Sequence, residues 1–322
     1  MAEQRVSLYD APVVAHVVRS GFVESVHHGS VVVLDTDGST LLAIGPVASP
    51  IFPRSSSKPI QALAMLRAGL RLDGELLALA TGSHSGESFH LAGARRILAG
   101  AGLGEKDLQN TPDLPYDERE RKAWLVSGRA ATSLAQNCSG KHAAMLATCV
   151  AAGWDTATYL DPGHPLQQLI ARTLRDLSDE PAAAVGVDGC GAPVMAVSLT
   201  GLARAFSRFS AASEGTDEAR LAAAIRMYPQ WVGGTRRDVT ALIRGVPGLI
   251  AKDGGESVYA VGLADGRAIA LKIADGAQRA RPVVMAAVLR RLGVEAVVLD
   301  ELAHAPVLGH GQQVGSIVAV GI

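Results

Sequence analysis

The segment Arg54-Ser55-Ser56-Ser57-Lys58-Pro59 places a serine three residues before a lysine. Residues three apart share a helix face, so a neutral Lys58 amine can take the Ser55 hydroxyl proton as the oxygen attacks a carbonyl. Pro59 lacks an N–H, and its ring clashes with the carbonyl four residues back unless it lies in a first helical turn; this puts Ser55 at or just before a helix N-terminus. There the free N–H groups and the dipole favour an alkoxide or oxyanion. The competing reading of such a serine run is N-capping alone. Thr81-Gly82-Ser83-His84-Ser85-Gly86-Glu87 is a small, polar, Gly-rich loop that either lines a site or caps a helix starting near Glu87, through Ser83 or Ser85. Asn137-Cys138-Ser139-Gly140-Lys141-His142 and Val187-Asp188-Gly189-Cys190-Gly191-Ala192-Pro193 each set a cysteine in a tight turn ahead of a helix, where a thiolate is stabilised. Two thiolates and a third protein ligand can hold zinc with a position open to water. On residue chemistry that ligand is His142 or Asp188, since a lysine must first lose its proton. The alternative is two unrelated buried cysteines. Cys149, inside an apolar helix, belongs to the core.

These segments need a scaffold. Val13 to Val18 and Ser30 to Asp35 are rich in β-branched residues, and the second run reaches Leu41 to Ile44 through a turn containing Asp37-Gly38. Ser257 to Leu263 and Ala268 to Ile273 flank Ala264-Asp265-Gly266-Arg267 as a second hairpin, and Gly315 to Val320 is a further strand. Strands from both chain ends are expected in one antiparallel sheet. Between them Pro59 to Ala68, Glu87 to Leu98, Glu118 to Gly128, Gly140 to Ala152, His164 to Leu177, Ala192 to Phe206, Glu218 to Tyr228 and Thr235 to Arg244 carry apolar residues at helical spacing, as does Ala277 to Leu292. The fold class is α/β, with a helical middle layer or lobe. No repeat or low-complexity linker divides the chain, so residues 1–322 read as one catalytic domain, with any two lobes lacking a linker visible in sequence.

Composition narrows the function classes. The chain has 322 residues, 48% hydrophobic, which can bury a substantial core. With 30 basic against 31 acidic side chains and no basic stripe, nucleic acid is not an expected partner. Only six residues are lysines, which gives weight to those at 58, 141 and 252. The first twenty residues lack the apolar core of an export signal, no stretch has the length of a membrane span, and three cysteines make no disulfide framework. The expectation is a cytoplasmic protein without a membrane partner.

The order of these blocks resembles the asparaginase II family, the zinc-associated serine asparaginases typified by a rhizobial enzyme. The match includes Asp161-Pro162-Gly163-His164-Pro165 with Gln167, Val232-Gly233-Gly234-Thr235-Arg236-Arg237-Asp238, and Ala270-Leu271-Lys272-Ile273 before Asp275-Gly276. The resemblance spans most of the chain. It implies a serine β-lactamase-like fold, homodimers, and hydrolysis of L-asparagine to L-aspartate and ammonia. Carried over by position, Ser55 is the nucleophile, Lys58 its base and Ser83 a second hydroxyl able to relay a proton. The implied Zn2+ ligands are Cys138, Lys141 and Cys190, with the metal lowering the lysine pKa by competing with its proton. Arg54, His142, Asp188 and Lys252 are expected around the substrate, Asp188 and Arg54 as partners of its α-amino and α-carboxylate groups. Lys252-Asp253-Gly254-Gly255-Glu256-Ser257 departs from a family block closer to Lys-Gly-Gly-Ala-Glu-Gly, and a loop stiffened there is expected to shift affinity or selectivity. The rivals are a glutamine-preferring enzyme, a penicillin-recognising enzyme, which would need a Lys-Thr-Gly strand that this chain lacks, a self-cleaving amidase with Thr235 as nucleophile, and a non-catalytic zinc protein.

Overall fold

A computed structural model describes residues 8–322. Strand β1 (Val13–Arg19) turns through Ser20 and Gly21, with φ of 50° and 81°, into the 13-residue β2 (Phe22–Leu34). Two consecutive positive φ values give the turn whose twist matches the flanking strands. β3 (Thr40–Ile44) and a short β4 (Pro50–Ile51) follow. Then come α1 (Lys58–Arg67), α2 (Gly74–Ala80), α3 (Ser88–Gly100), α4 (Glu118–Val126), α5 (Ser139–Ala152) and α6 (Pro165–Ser178). Short strands β5 (Val185–Val187), β6 (Pro193–Met195) and β7 (Val197–Ser198) lead to α7 (Leu199–Ser210), α8 (Asp217–Met227), α9 (Pro229–Val232) and α10 (Asp238–Gly245). β8 (Ile250–Asp253), β9 (Val258–Gly262), β10 (Ala268–Ile273), α11 (Arg281–Arg291), α12 (Val298–Ala303), β11 (Pro306–Gly309) and β12 (Gln312–Ala319) complete the described chain.

Eight strands form one antiparallel sheet in the order β11-β12-β1-β2-β10-β9-β8, with β3 branching from β2. The two ends of the chain do share it, since β1 pairs with β12 from Ala15↔Ala319 to Arg19↔Gly315. β2 joins the two halves: its first part pairs with β1, and Gly29 to Leu34 pairs with β10. At β9 the sheet is covered on both faces. Gly262 lies so close to the Phe206 carbonyl of α7 that a Cβ would come within 2.6 Å, while Tyr259, three residues earlier and therefore on the other face, lies under the Arg281 guanidinium of α11. Double coverage explains why β9 and β10, apart from Lys272, read as apolar runs rather than alternations.

The helical layer is built around α1, which is buried along Lys58 to Leu66 and packs against α5, α6 and α8. Such all-round burial suits its sequence, Pro-Ile-Gln-Ala-Leu-Ala-Met-Leu, and fixes its first residue, Lys58, within the interior. The expected helix from Ala192 to Phe206 starts only at Leu199. Pro193 to Met195 pairs instead with Val185 to Val187, and the Ser198 hydroxyl caps α7 by accepting from Gly201 N at 2.9 Å. α2, β5, β8 and the first half of β2 were not expected from sequence pattern. Among the described residues no helix is long and apolar enough to cross a membrane.

Candidate active site

Ser55 lies in the single 3-10 turn Arg54–Ser57 that leads into α1. Three neighbouring serines are sorted by their partners. Ser56 Oγ donates to Pro53 O at 2.6 Å and Ser57 Oγ to Arg54 O at 2.8 Å, whereas Ser55, half-buried, lines a cleft of about 290 Å3. The turn is held by an unusual backbone. Arg54 has φ 51°, and the segment after β8 has Glu256 and Ser257 at 53° and 56°, three non-glycine residues in the left-handed region beside one cleft. Such conformations cost on the order of 1–3 kcal/mol each and persist where surrounding structure enforces them. Gly254 allows the two segments to meet: a Cβ there would stand 2.6 Å from Pro53 O and 3.2 Å from Ser56 N.

Lys58 is buried and its Nζ donates to Gly82 O at 2.5 Å, Ser83 Oγ at 3.0 Å and Cys138 Sγ at 3.1 Å. The amine thus joins the serine turn, the Ser83 loop and the first cysteine turn at one point, although its N–H groups face Ser83 and Cys138 rather than Ser55. Ser83 is placed by its backbone N–H to Val232 O at 2.8 Å. The following His84 accepts Gly86 N–H at Nδ1, so Nε2 carries the proton and donates to Ser139 Oγ at 2.8 Å. Burial above all holds the His84 pKa well below the ordinary imidazole range. This links the Ser83 loop to the first turn of α5.

Cys138 caps α5 and Cys190 approaches it from the turn after β5. A hydrogen bond between the two sulfurs pulls the Cys138 thiol well below its ordinary range and, with burial, pushes that of Cys190 up. Lys58 and Lys141 add to the lowering at Cys138. Lys141 Nζ donates to Cys190 Sγ at 3.2 Å. Burial opposes its charge, but Cys190, Cys138 and Asp188 more than offset this and raise its pKa. Asp188 lines the cleft. Its oxygen accepts from Arg54 Nε at 2.7 Å, and although burial raises its pKa, Lys141 and Arg54 together hold the carboxyl below the usual range. Among the described residues no three His, Cys, Asp or Glu side chains converge as a metal cluster; the side chains against the two sulfurs are Lys58 and Asn137 at Cys138 and Lys141 at Cys190. The donor set fits: two sulfurs sharing a proton, with an amine against each of them, release protons when a cation replaces them.

His142 is not at the cleft. Its buried ring bonds Tyr159 OH through Nδ1 at 2.7 Å, and burial followed by Lys141 and Lys58 keeps it neutral. Lys252 is also fully buried, with Nζ donating to the carbonyl and a carboxylate oxygen of Asp253, each at 2.7 Å. Burial, reinforced by Lys58 and Arg237 and opposed by Asp253, pulls its pKa down to about 8. Asp253 itself reaches the cleft and pairs with Lys252 and Arg237, with Arg281 at 3.6 Å. Burial works against its charge, but these cations outweigh it and hold the carboxyl well below its usual range. The structure therefore brings Ser55, Lys58, Ser83, Cys138, Lys141, Asp188, Cys190 and Arg54 together. Tyr116, Asn137, Arg237 and Gln278 also line the cleft without having been singled out. Arg237 stood in a quoted block with no role attached, and Tyr116 in a polar loop carried no signal.

The fold comparisons return remote matches. A β-lactamase from Mycobacterium bovis aligns at TM-score 0.44 and 13% identity, covering 83% of this chain and 95% of that one. EstCE1, a hydrolase with promiscuous acyltransferase activity, aligns at 0.41 and 13%, covering 86% and 94%. Mglu aligns at 0.45 and 11%, covering 83% and 61%. A comparison with curated proteins returns no match. The family model described as L-asparaginase II matches residues 15–319, nearly the whole chain and every segment of the cleft just described, and the chain belongs to the asparaginase II family.

Proposed function

We propose that the protein is an L-asparagine amidohydrolase that works through an acyl-serine. The observation that carries this reading is the sorting of the serine turn: Ser55 lines a small polar cleft, while the hydroxyls of Ser56 and Ser57 are committed to backbone carbonyls. The volume is at the small end of the roughly 300–1,000 Å3 typical of ligand sites and suits a single amino acid.

Ser55 Oγ attacks the side-chain carboxamide carbon as its proton passes through Ser83 Oγ to Lys58, the amine that touches Ser83 at 3.0 Å. Lys58 must be neutral at that moment, since an ammonium has no lone pair. Backbone N–H groups hold the tetrahedral oxyanion, collapse breaks the C–N bond, and the amine leaves as ammonia with the proton from Lys58. Water then attacks the ester carbonyl, returns its proton by the same relay and frees aspartate. Asp188 accepts the substrate ammonium, and Arg54 fixes Asp188. Cys138, Lys141 and Cys190 would hold Zn2+, which supplies positive charge that ties the two cysteine turns together beside the substrate. Lys252 and His142 support this machinery from behind the cleft wall.

The test is ammonia release from L-asparagine, L-glutamine and buffer by the purified protein beside Ser55→Ala. Asparagine-dependent release abolished in the variant supports the reading. Preference for glutamine changes the substrate, and no release from either amide by a folded sample removes the reaction.

A further inference from the structure

Three arginines line the cleft. Arg121 is exposed, with its Nε donating to Pro115 O at 3.0 Å; the surroundings of the other two differ. Arg54 is spoken for: Nε donates to Asp188 at 2.7 Å, Nη1 lies 3.9 Å from Glu256, and the guanidinium rests against Gly255. Two carboxylates thus face this guanidinium, one of them, Asp188, also facing Lys141. Arg237 lies on the Ser83 side, with Nη1 3.4 Å from Ser83 O and its plane over the Tyr116 ring at 4.5 Å. Its ion-pair partner among the described residues is Asp253, and that carboxylate is shared with Lys252 and Arg281. Arg281 in turn takes Asp238 at 2.7 Å. Three cations therefore meet two carboxylates, leaving one surplus positive charge at the Ser83 wall. Two groups of this cluster reach the cleft, the Asp253 carboxylate and the Arg237 guanidinium, and only the guanidinium, rigid and with donors to spare, can receive an anion.

We infer that Arg237, held by Asp253 and Tyr116, is the residue that binds the substrate α-carboxylate, and that Arg54 positions Asp188 instead. This rests on the asparaginase reading and assigns its specificity. An amino-acid zwitterion then lies across the cleft with its ammonium at Asp188 and its carboxylate at Arg237, and the side-chain amide between Ser55 and Ser83. The assignment gives Asp253 a purpose as well: it fixes the guanidinium plane that a flexible glycine would leave loose.

Kinetics on truncated substrates separate the two arginines. 3-Aminopropanamide is asparagine without its carboxylate, and succinamate is asparagine without its ammonium. Loss of one charge-assisted interaction is worth roughly 10- to 150-fold in kcat/KM. In Arg237→Gln the preference for asparagine over 3-aminopropanamide should collapse by that factor, while the preference over succinamate stays. Arg237→Lys should restore part of it. In Arg54→Gln the preference over succinamate should collapse, because Asp188 loses its holder. Equal loss on all three amides in Arg237→Gln would mean that Arg237 only supports Ser83, and loss of carboxylate discrimination in Arg54→Gln would reverse the assignment. If the wild type hydrolyses none of the amides, the asparaginase reading fails by itself. Calorimetric titration with L-aspartate then decides this one: affinity falling in Arg237→Gln upholds it, and equal or absent binding overturns it.

Discussion

Lys252 should make the folded protein less stable at neutral pH, and replacing it should reveal by how much. The amine is fully buried and its pKa falls from the ordinary 10.5 to about 8. At 1.36 kcal/mol per unit, the drop corresponds to about 3 kcal/mol. Below pH 8 both folded and unfolded chains hold the proton and the whole cost is present. Between about pH 8 and 10.5 only the unfolded chain holds it, so the cost is relieved as pH rises, and above 10.5 it is gone. Lys252→Met fills the same space with a flexible apolar side chain and leaves Asp253 with Arg237 and Arg281, so no carboxylate is orphaned. The variant should exceed the wild type by about 1–3 kcal/mol at pH 7, a gain of several degrees in Tm. That gap should close between pH 8 and 10.5. Urea titrations of both proteins at pH 7, 8, 9 and 10 measure it, and the difference cancels the other groups that ionise in this range. A gap that does not change with pH, or a variant weaker than the wild type at pH 7, would refute the reasoning. A native lysine that costs stability where it stands is one kept for the site it adjoins.

Ser55→Ala should lower turnover by roughly three orders of magnitude or more with Tm unchanged, measured by ammonia release and thermal unfolding. Substantial residual activity would remove Ser55 as nucleophile. Replacing Cys138 and Cys190 together by serine should abolish zinc binding, read as metal stoichiometry by mass spectrometry, and an unchanged stoichiometry would dissolve the proposed site. Gly254→Ala drives a Cβ against the backbone at Pro53 and Ser56, so it should cost about 1–3 kcal/mol in urea unfolding and lower kcat by displacing the Ser55 turn. Parent-like kinetics there would show that the turn can yield.

What could be read from the sequence followed the range of the interactions. β10 was legible to the residue, because a doubly covered strand is a nearly continuous apolar run, here broken by Lys272, that follows a turn signal. The α1 start was legible because Pro59 leaves little choice. The Ala192 to Phe206 helix failed where a tertiary pairing outcompeted local spacing: Val185 to Val187 captures Pro193 to Met195 as a strand, and nothing inside the segment announces that partner. The first half of β2 escaped for a related reason, since Phe22, Val26 and their neighbours remain partly exposed and lack a sharp alternation. Cysteines and lysines stand out by type, but which of them touch depends on how three turns converge, and His142 shows the limit. One residue from Lys141 in sequence, it points away from the cleft towards Tyr159.

The departure at Asp253 shows how a local reading can misplace an effect. Read as sequence, an aspartate where the family favours glycine stiffens a loop over the substrate. In the structure it is the last residue of β8, nearly buried, and its carboxylate joins Lys252, Arg237 and Arg281, the last two from elements outside the strand. Its influence is therefore electrostatic and reaches the cleft through the position of a guanidinium. Removing it should act less like loosening a flap than like releasing three buried cations, at a cost of about 3–5 kcal/mol for a broken buried pair. Asp253→Gly should thus lower stability and relax carboxylate discrimination together, whereas a change in loop flexibility alone would alter KM for every amide and leave unfolding almost untouched.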